Sequence, residues 1–315
     1  MRTYILEGVV TALSSITHNG GEQNGTVTQL RREKVVQPDG SVEQVPCISG
    51  NAIRGLLRDI GYKDMFQRLG YGVTEDGSVR GVSLNAFYFF FSGGSLTSTG
   101  DSGLDIGYFR ELKSAIPLVG VFGGAVGNAI MQGKLKMGKL IPICRETGHQ
   151  LPAQYVNANI QSIWDYCQTE MYTRTDDEKK ESLRGLIGGD DMVLLQSGVA
   201  KKDITKASTS QQMMYHIETI AAGTEFYWKI VLDDVTDIEY EAFVNTLYCF
   251  SRKPYIGGKS GTGHGEISIK MDNWIEIDSR VKGTGTELAP PLLTNYYQHL
   301  EHKGDRIRTL VKEMA

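Results

Sequence analysis

Between residues 226 and 271 the chain spells out a strand, a capped helix, a glycine loop and a second strand, and this run restricts the fold more than any other segment. Phe226, Trp228, Ile230 and Leu232 fall at every second position, the period of a strand with one buried face. Thr236 and Glu239 have capping-box spacing and open a helix whose apolar face holds Phe243, Leu247 and Phe250. Residues 256–265 (IGGKSGTGHG) form a glycine loop, and residues 266–271 read as the next strand. A strand buried on one side belongs in a sheet covered there by helices.

The first half of the chain follows the same order. Residues 2–10 are strand-like and run into a polar loop, 14–25, that contains His18. After Pro46, Ile53, Leu56, Leu57 and Ile60 recur at helical spacing, with Ser49 as the expected N-cap. Asn51, Arg54 and Arg58 share the opposite face. Residues 134–143 read as another strand. Strand, helix, strand, then strand, helix, strand predicts an α+β chain with a βαββαβ, ferredoxin-like core and large insertions. Of those insertions, 84–91 has the length of a buried apolar strand and 92–103 the composition of a loop. Residues 170–182 read as an exposed acidic insertion, and 192–219 as two extended arms around a polar turn. Residues 294–313 make a charged terminal helix.

Composition narrows the classes. No apolar run approaches the ~18 residues of a membrane span, and Glu7 interrupts any secretory core, so a soluble cytoplasmic protein with no membrane partner is expected. Cys47, Cys144, Cys167 and Cys249 lack metal-ligand spacing and read as ordinary thiols. No metal or other cofactor is expected. The net charge of −4 argues against a generic polyanion binder. Bases nevertheless cluster at 31–34, at Lys134, Lys136 and Lys139, at Lys201 and Lys202, and at Arg252 and Lys253 with Lys259. A fold that gathered them would make a cationic groove.

Two segments could carry chemistry. A helix start offers unpaired N–H groups and a positive dipole end, so Ser49, Gly50, Asn51 and Arg54, with Arg58 one turn on, could receive a phosphate; a capped surface helix with two solvated arginines is the plain alternative. The glycine loop holds Gly258-Lys259-Ser260, but a P-loop would need glycine at position 253, which is Lys253, and would lead from strand into helix. What remains is backbone donors with Lys259, Ser260, Thr262 and His264, suited to a sugar–phosphate chain, or a tight connection that needs positive φ. His18 could act as a general base in RNA cleavage, although no partner is identifiable by spacing. The aromatic run 87–91 reads as core rather than as a base-stacking platform.

The order of three motifs says more than each alone. The helix segment 46–58, the element Val121-Phe122-Gly123-Gly124 and the loop 257–265 together resemble the RAMP superfamily of CRISPR-associated proteins, over about residues 1–272. The resemblance is to the backbone subunits that line a guide RNA, closest to those of type IV complexes, with types I and III as relatives. It implies an RRM-like palm with an inserted fingers region (about 60–115) and a β-hairpin thumb (about 189–219), then a C-terminal extension, 273–315. It further implies CRISPR RNA as ligand, pairing with a target nucleic acid (DNA favoured), head-to-tail self-association and other effector subunits as partners.

Carried over residue by residue, the guide-binding positions are Ser49, Gly50, Asn51, Arg54 and Arg58; Phe122, Gly123 and Gly124; and Lys253, Gly257, Gly258, Lys259, Ser260, Thr262 and His264. The thumb would supply Lys201, Lys202, Met213 and Met214. Residues 26–32, with Arg31 and Arg32, resemble the first-loop arginine motif of the DNA-targeting members, and His18 lies just ahead of them. Type III relatives cut RNA with an aspartate after the first strand, and residues 14–37 contain none. A non-catalytic subunit is therefore expected, with a metal-independent guide-precursor ribonuclease as the alternative and a protein that binds no nucleic acid as the third reading.

Overall fold

The computed structural model describes residues 2–24, 27–73, 78–94, 106–126, 129–156, 160–174, 213–277, 285–287 and 289–314. It is a mixed α+β fold whose strand pairs are antiparallel except for one parallel pair in the second sheet, residues 216–217 with 27–28. The main sheet is built on β1 (Arg2–Ala12), whose residues alternate between buried and half-buried. Two hairpins follow, β2 (Asn19–Asn24) with β3 (Val27–Leu30) and β4 (Arg32–Val36) with β5 (Val42–Pro46). Then comes α1 (Gly50–Arg68), capped by the Ser49 hydroxyl, which accepts from the Ala52 N–H at 3.2 Å. Helix α1 continues through residue 68, so a fingers boundary drawn near 60 falls inside it.

Beyond α1 lie the short pair β6 (Gly72–Val73) and β7 (Val79–Arg80), then α2 (Leu84–Phe87), which runs into a π-helical turn, Tyr88–Ser92. The aromatic run 84–91 is thus helical, not a strand. Ser83 caps it, accepting from the Ala86 N–H, and Phe90 meets Tyr62 and Phe66 edge-on at 4.9 and 5.0 Å. A continuous apolar run carries no period that separates the two conformations. Contact with α1 selects the helix.

Helices α3 (Ile106–Ala115) and α4 (Pro117–Phe122) lead into the hairpin β8 (Gly124–Val126) and β9 (Ala129–Met131). The strand expected over 134–143 is split into β10 (Leu135–Met137) and β11 (Ile141–Pro142). Between them Leu140 bridges to Ile48, which ties the residue ahead of the Ser49 cap to this stretch.

Next come β12 (Cys167–Arg174), β13 (Met213–Ile220), β14 (Glu225–Val235), α5 (Asp237–Ser251), β15 (Ile267–Ile277), β16 (Thr286–Glu287) and α6 (Thr294–Glu313). Residues 170–174 are therefore strand rather than loose acidic insertion. The arm at 213–220 pairs with 167–174, and residues 192–212, which hold the other expected arm and the turn, lie outside the described residues. Strand β15 continues through residue 277, past the boundary drawn at 272.

The main sheet runs β10-β14-β1-β15-β16, with β11 also on β14; a second sheet runs β12-β13-β3-β2. Leu6, Val10, Phe226, Trp228, Ile230 and Leu232 turn one face of the main sheet toward Ile53 and Leu57 of α1 and Phe243 of α5. At Gly8 the β1–β15 register shifts, and a Cβ there would strike the Lys270 carbonyl. The capping box at Thr236 and Glu239 is complete. All four cysteines are free, Cys47 and Cys144 buried. Among the described residues no helix is long and apolar enough to cross a membrane.

Candidate nucleic-acid interface

The two glycine-bearing segments, two hundred residues apart in sequence, meet. A cavity of about 560 Å³ opens between the start of α1 (Ile48, Ala52, Leu56) and the glycine loop (Ile256, Gly257, Ser260), with His18 and Lys253 also on its wall. The loop is closed by the Ile256 N–H donating to Gly265 O at 2.9 Å. It is held to the segment after β1 by two more bonds, Gly258 N–H to Thr17 O (2.8 Å) and Gly265 N–H to Ser15 O (2.9 Å). Gly257 has φ 76°, and a Cβ there would strike Thr17 O. Its lack of a side chain serves the approach of the protein's own backbone. Lys259 also holds positive φ (59°) and starts a single 3-10 turn, Ser260–Thr262.

The arginine row faces elsewhere. At about 100° per residue, Arg54 lies roughly 200° round α1 from Ala52, on the side away from the cavity. Its guanidinium donates to Leu135 O at 2.5 Å and Phe122 O at 2.6 Å, and Arg58 donates to Phe91 O at 2.8 Å. Phe122 ends α4 and Phe91 lies in the last turn of the π segment, so both arginines answer helix C-terminal carbonyls that lack intrahelical partners. Burial and then the charge of Arg58 lower the Arg54 pKa. They are not a row of solvated cations. Asn51 is exposed. Gly50 is buried, with the Met137 carbonyl where a Cβ would go, so its bareness serves sheet contact rather than ligand approach. Phe122 and Gly123 are buried, Gly123 has φ 67°, and Gly124 lies against the Phe89 ring.

Among the described residues, the basic cluster at 134–139 and Arg32 are neutralised within the chain. Lys134 pairs with Glu239 at 2.7 Å, Lys136 with Asp233 at 2.5 Å, and Lys139 with Glu33. Arg32 donates to both oxygens of Glu218 at 2.7 and 2.9 Å and lies 5.5 Å from the Trp164 ring centre, tying β4 to β13. Arg31, Arg252 and Lys253 are exposed. Met214 is exposed on β13 and Met213 begins that strand, while Lys201 and Lys202 lie outside the described residues.

His18 is half-buried, and its Nε2 accepts the Ser49 N–H at 3.2 Å, so in the neutral ring Nδ1 carries the proton. Burial, then the charge of Arg31, lower its pKa. Protonation at Nε2 would remove the acceptor. The stability this neutral ring contributes is therefore complete above the ordinary histidine value of ~6.5 and is lost as pH falls through the lowered folded-state value. Urea unfolding from neutral to mildly acidic pH should show that loss, and His18→Gln should flatten it.

His264 is 2% exposed. Its Nδ1 is 2.9 Å from Ser15 Oγ, and its Nε2 bonds to the Tyr172 hydroxyl. Tyr172 donates to Glu170 at 3.0 Å, as does Thr219. Burial acts to raise the Glu170 pKa, but bonds from Thr219, Ser15 and Tyr172 and the His264 charge hold it below the usual range. Lys259 Nζ sits 4.4 and 5.6 Å from the ring centres of Tyr215 and Tyr172, which stack on each other at 5.4 Å. The glycine loop is thereby fastened to the β12–β13 pair. Sequence reasoning missed Ser15, Glu170, Tyr172, Tyr215 and Tyr255; the first four have no local pattern, and only Tyr255, two residues after Lys253 at the foot of the loop, offered a signal.

Among the described residues no group of three or more His, Cys, Asp or Glu side chains is placed to hold a metal. No protein-family model and no curated protein matches the chain. Its fold is similar to that of a chain in the solved structure described as "Type IV-B CRISPR Complex". The two are 23% identical over 93% of this chain and 96% of that one, with a TM-score of 0.55.

Proposed function

We propose that this chain is a non-catalytic subunit of a CRISPR effector complex, one that binds guide RNA and presents it for pairing with a target nucleic acid, DNA favoured. The observation that carries the reading is the convergence of the α1 start and the glycine loop on one cavity rimmed by Lys253. The fold supports it. The main-sheet order, read as first, second, third and fourth strands of a βαββαβ unit (β1, β10, β14, β15), is 2-3-1-4, the ferredoxin-like arrangement of an RRM-like palm. The β12–β13 pair would be the base of the thumb. Head-to-tail association of copies along the RNA, and contact with other effector subunits, complete the proposal. Base pairing would then read sequence while the protein reads backbone and shape.

The state of His18 favours this over the precursor-ribonuclease alternative: Nε2 is spent on the Ser49 N–H, and a base needs a free lone pair within reach of the proton it takes. The test uses purified full-length chain with single-stranded RNAs of increasing length and unrelated sequence. Affinity should rise with length, fall steeply with salt and vary little with sequence. Absence of binding at low salt would refute the reading. Chelator-resistant cleavage of precursor RNA, abolished in His18→Ala, would promote the alternative.

A further inference from the structure

We propose that the cavity between α1 and the glycine loop takes an unstacked nucleobase of the bound strand, with the phosphates confined to its rim. This rests on the RNA-binding reading and specifies what part of the polynucleotide enters. The volume, about 560 Å³, lies within the ~300–1,000 Å³ of pockets that enclose small ligands. Its floor is aliphatic: Ile48, Ile53 and Ile256 are buried, and Ala52 and Leu56 line the helix side. A phosphate on that floor would be stripped of water with no donor in return. A nucleobase has the apolar faces the floor requires.

The mouth supplies what a base in this position needs. Tyr255 is 38% exposed on the cavity wall and offers a ring for stacking. Ser260 is exposed there, and His18, with Nε2 occupied, keeps its Nδ1–H as the remaining hydrogen-bonding group. Lys253 on the wall, and Arg31, whose N–H donates to His18 O at 2.7 Å, are exposed cations for the flanking phosphates. A cationic rim around an apolar floor fits a polynucleotide better than an apolar side chain of a second copy of this chain.

The experiment compares ordinary single-stranded RNA with an abasic strand of equal length, bound to the full chain. Leu56→Trp fills the cavity, and Ala52→Phe on its exposed lip is the second variant should the first not fold; Lys253→Ala is the comparison. Wild type should bind ordinary RNA about tenfold tighter than abasic strand, the size of one stacked base. The filled variants should lose that preference and match wild type on the abasic strand, whereas Lys253→Ala should weaken both ligands alike. Filled variants that weaken both strands equally, or neither, overturn the proposal while leaving RNA binding intact. No binding of either strand by wild type overturns RNA binding itself. RNA-free oligomers that Leu56→Trp breaks apart would show a protein side chain as occupant and overturn the nucleobase.

Discussion

Arg54→Ala is expected to cost the folded protein about 3 kcal/mol, read as a lower urea midpoint at unchanged slope. Its guanidinium holds the Phe122 and Leu135 carbonyls at 2.6 and 2.5 Å, and a hydrogen bond involving a charged group contributes about 1.5–3 kcal/mol. The variant leaves two carbonyls short of a donor at the junction of α1, α4 and β10. Arg54→Lys should recover only part of the loss, because an ammonium cannot span both oxygens as a planar fork does. A midpoint that stays put while RNA affinity collapses would show that the side chain serves ligand instead.

Reversing two exposed cations, Lys253→Glu on the cavity wall and Arg31→Glu beside His18, should weaken single-stranded RNA binding at least tenfold, or about 1.4 kcal/mol. The slope of log affinity against log salt should flatten by about 1.4, since each phosphate of a single strand that a cation neutralises adds about 0.7 to it. Lys136→Glu, whose native amine is held by Asp233, should leave both quantities unchanged. Equal losses from the reversed pair and from Lys136 would mean diffuse attraction rather than a defined groove. All three substitutions fall on exposed side chains, so unfolding is not expected to confuse the result.

The two predictions separate residues that look alike in the sequence. Arg54, Arg58 and Lys253 are each a cation beside a glycine-bearing motif. Two of the three are spent on helix-end carbonyls, because α1 crosses the ends of α4 and of the π segment at the right height. Acidic residues cluster at 233–241 and at 170–182, and the second stretch reads as an exposed insertion. Several members instead neutralise a base or anchor a polar cluster: Asp233 on Lys136, Glu239 on Lys134, and Glu170 between Tyr172 and Thr219. This internal pairing takes Lys134, Lys136, Lys139 and Arg32 out of the candidate interface, while Arg31, Arg252 and Lys253 stay exposed.

The aromatic run 84–91 shows the limit of periodicity. Continuous apolarity fits a buried strand or a buried helix face, and only its packing on Tyr62 and Phe66 decides. The strand pair β12–β13 shows another limit, since its two members are separated by residues 175–212 and no short-range signal links Tyr172 to Tyr215.

What the sequence determined by itself are features whose causes lie within a few residues: the Ser49 cap, the Thr236–Glu239 capping box, the alternation in β14, the helical spacing after Pro46, and the exclusion of a P-loop at Lys253. Tertiary structure alone decided which way the arginines point, that His264 is buried between Ser15 and Tyr172, and that the cavity floor is aliphatic. Side-chain direction and desolvation depend on what the rest of the chain brings alongside, and those neighbours lie tens to hundreds of residues away.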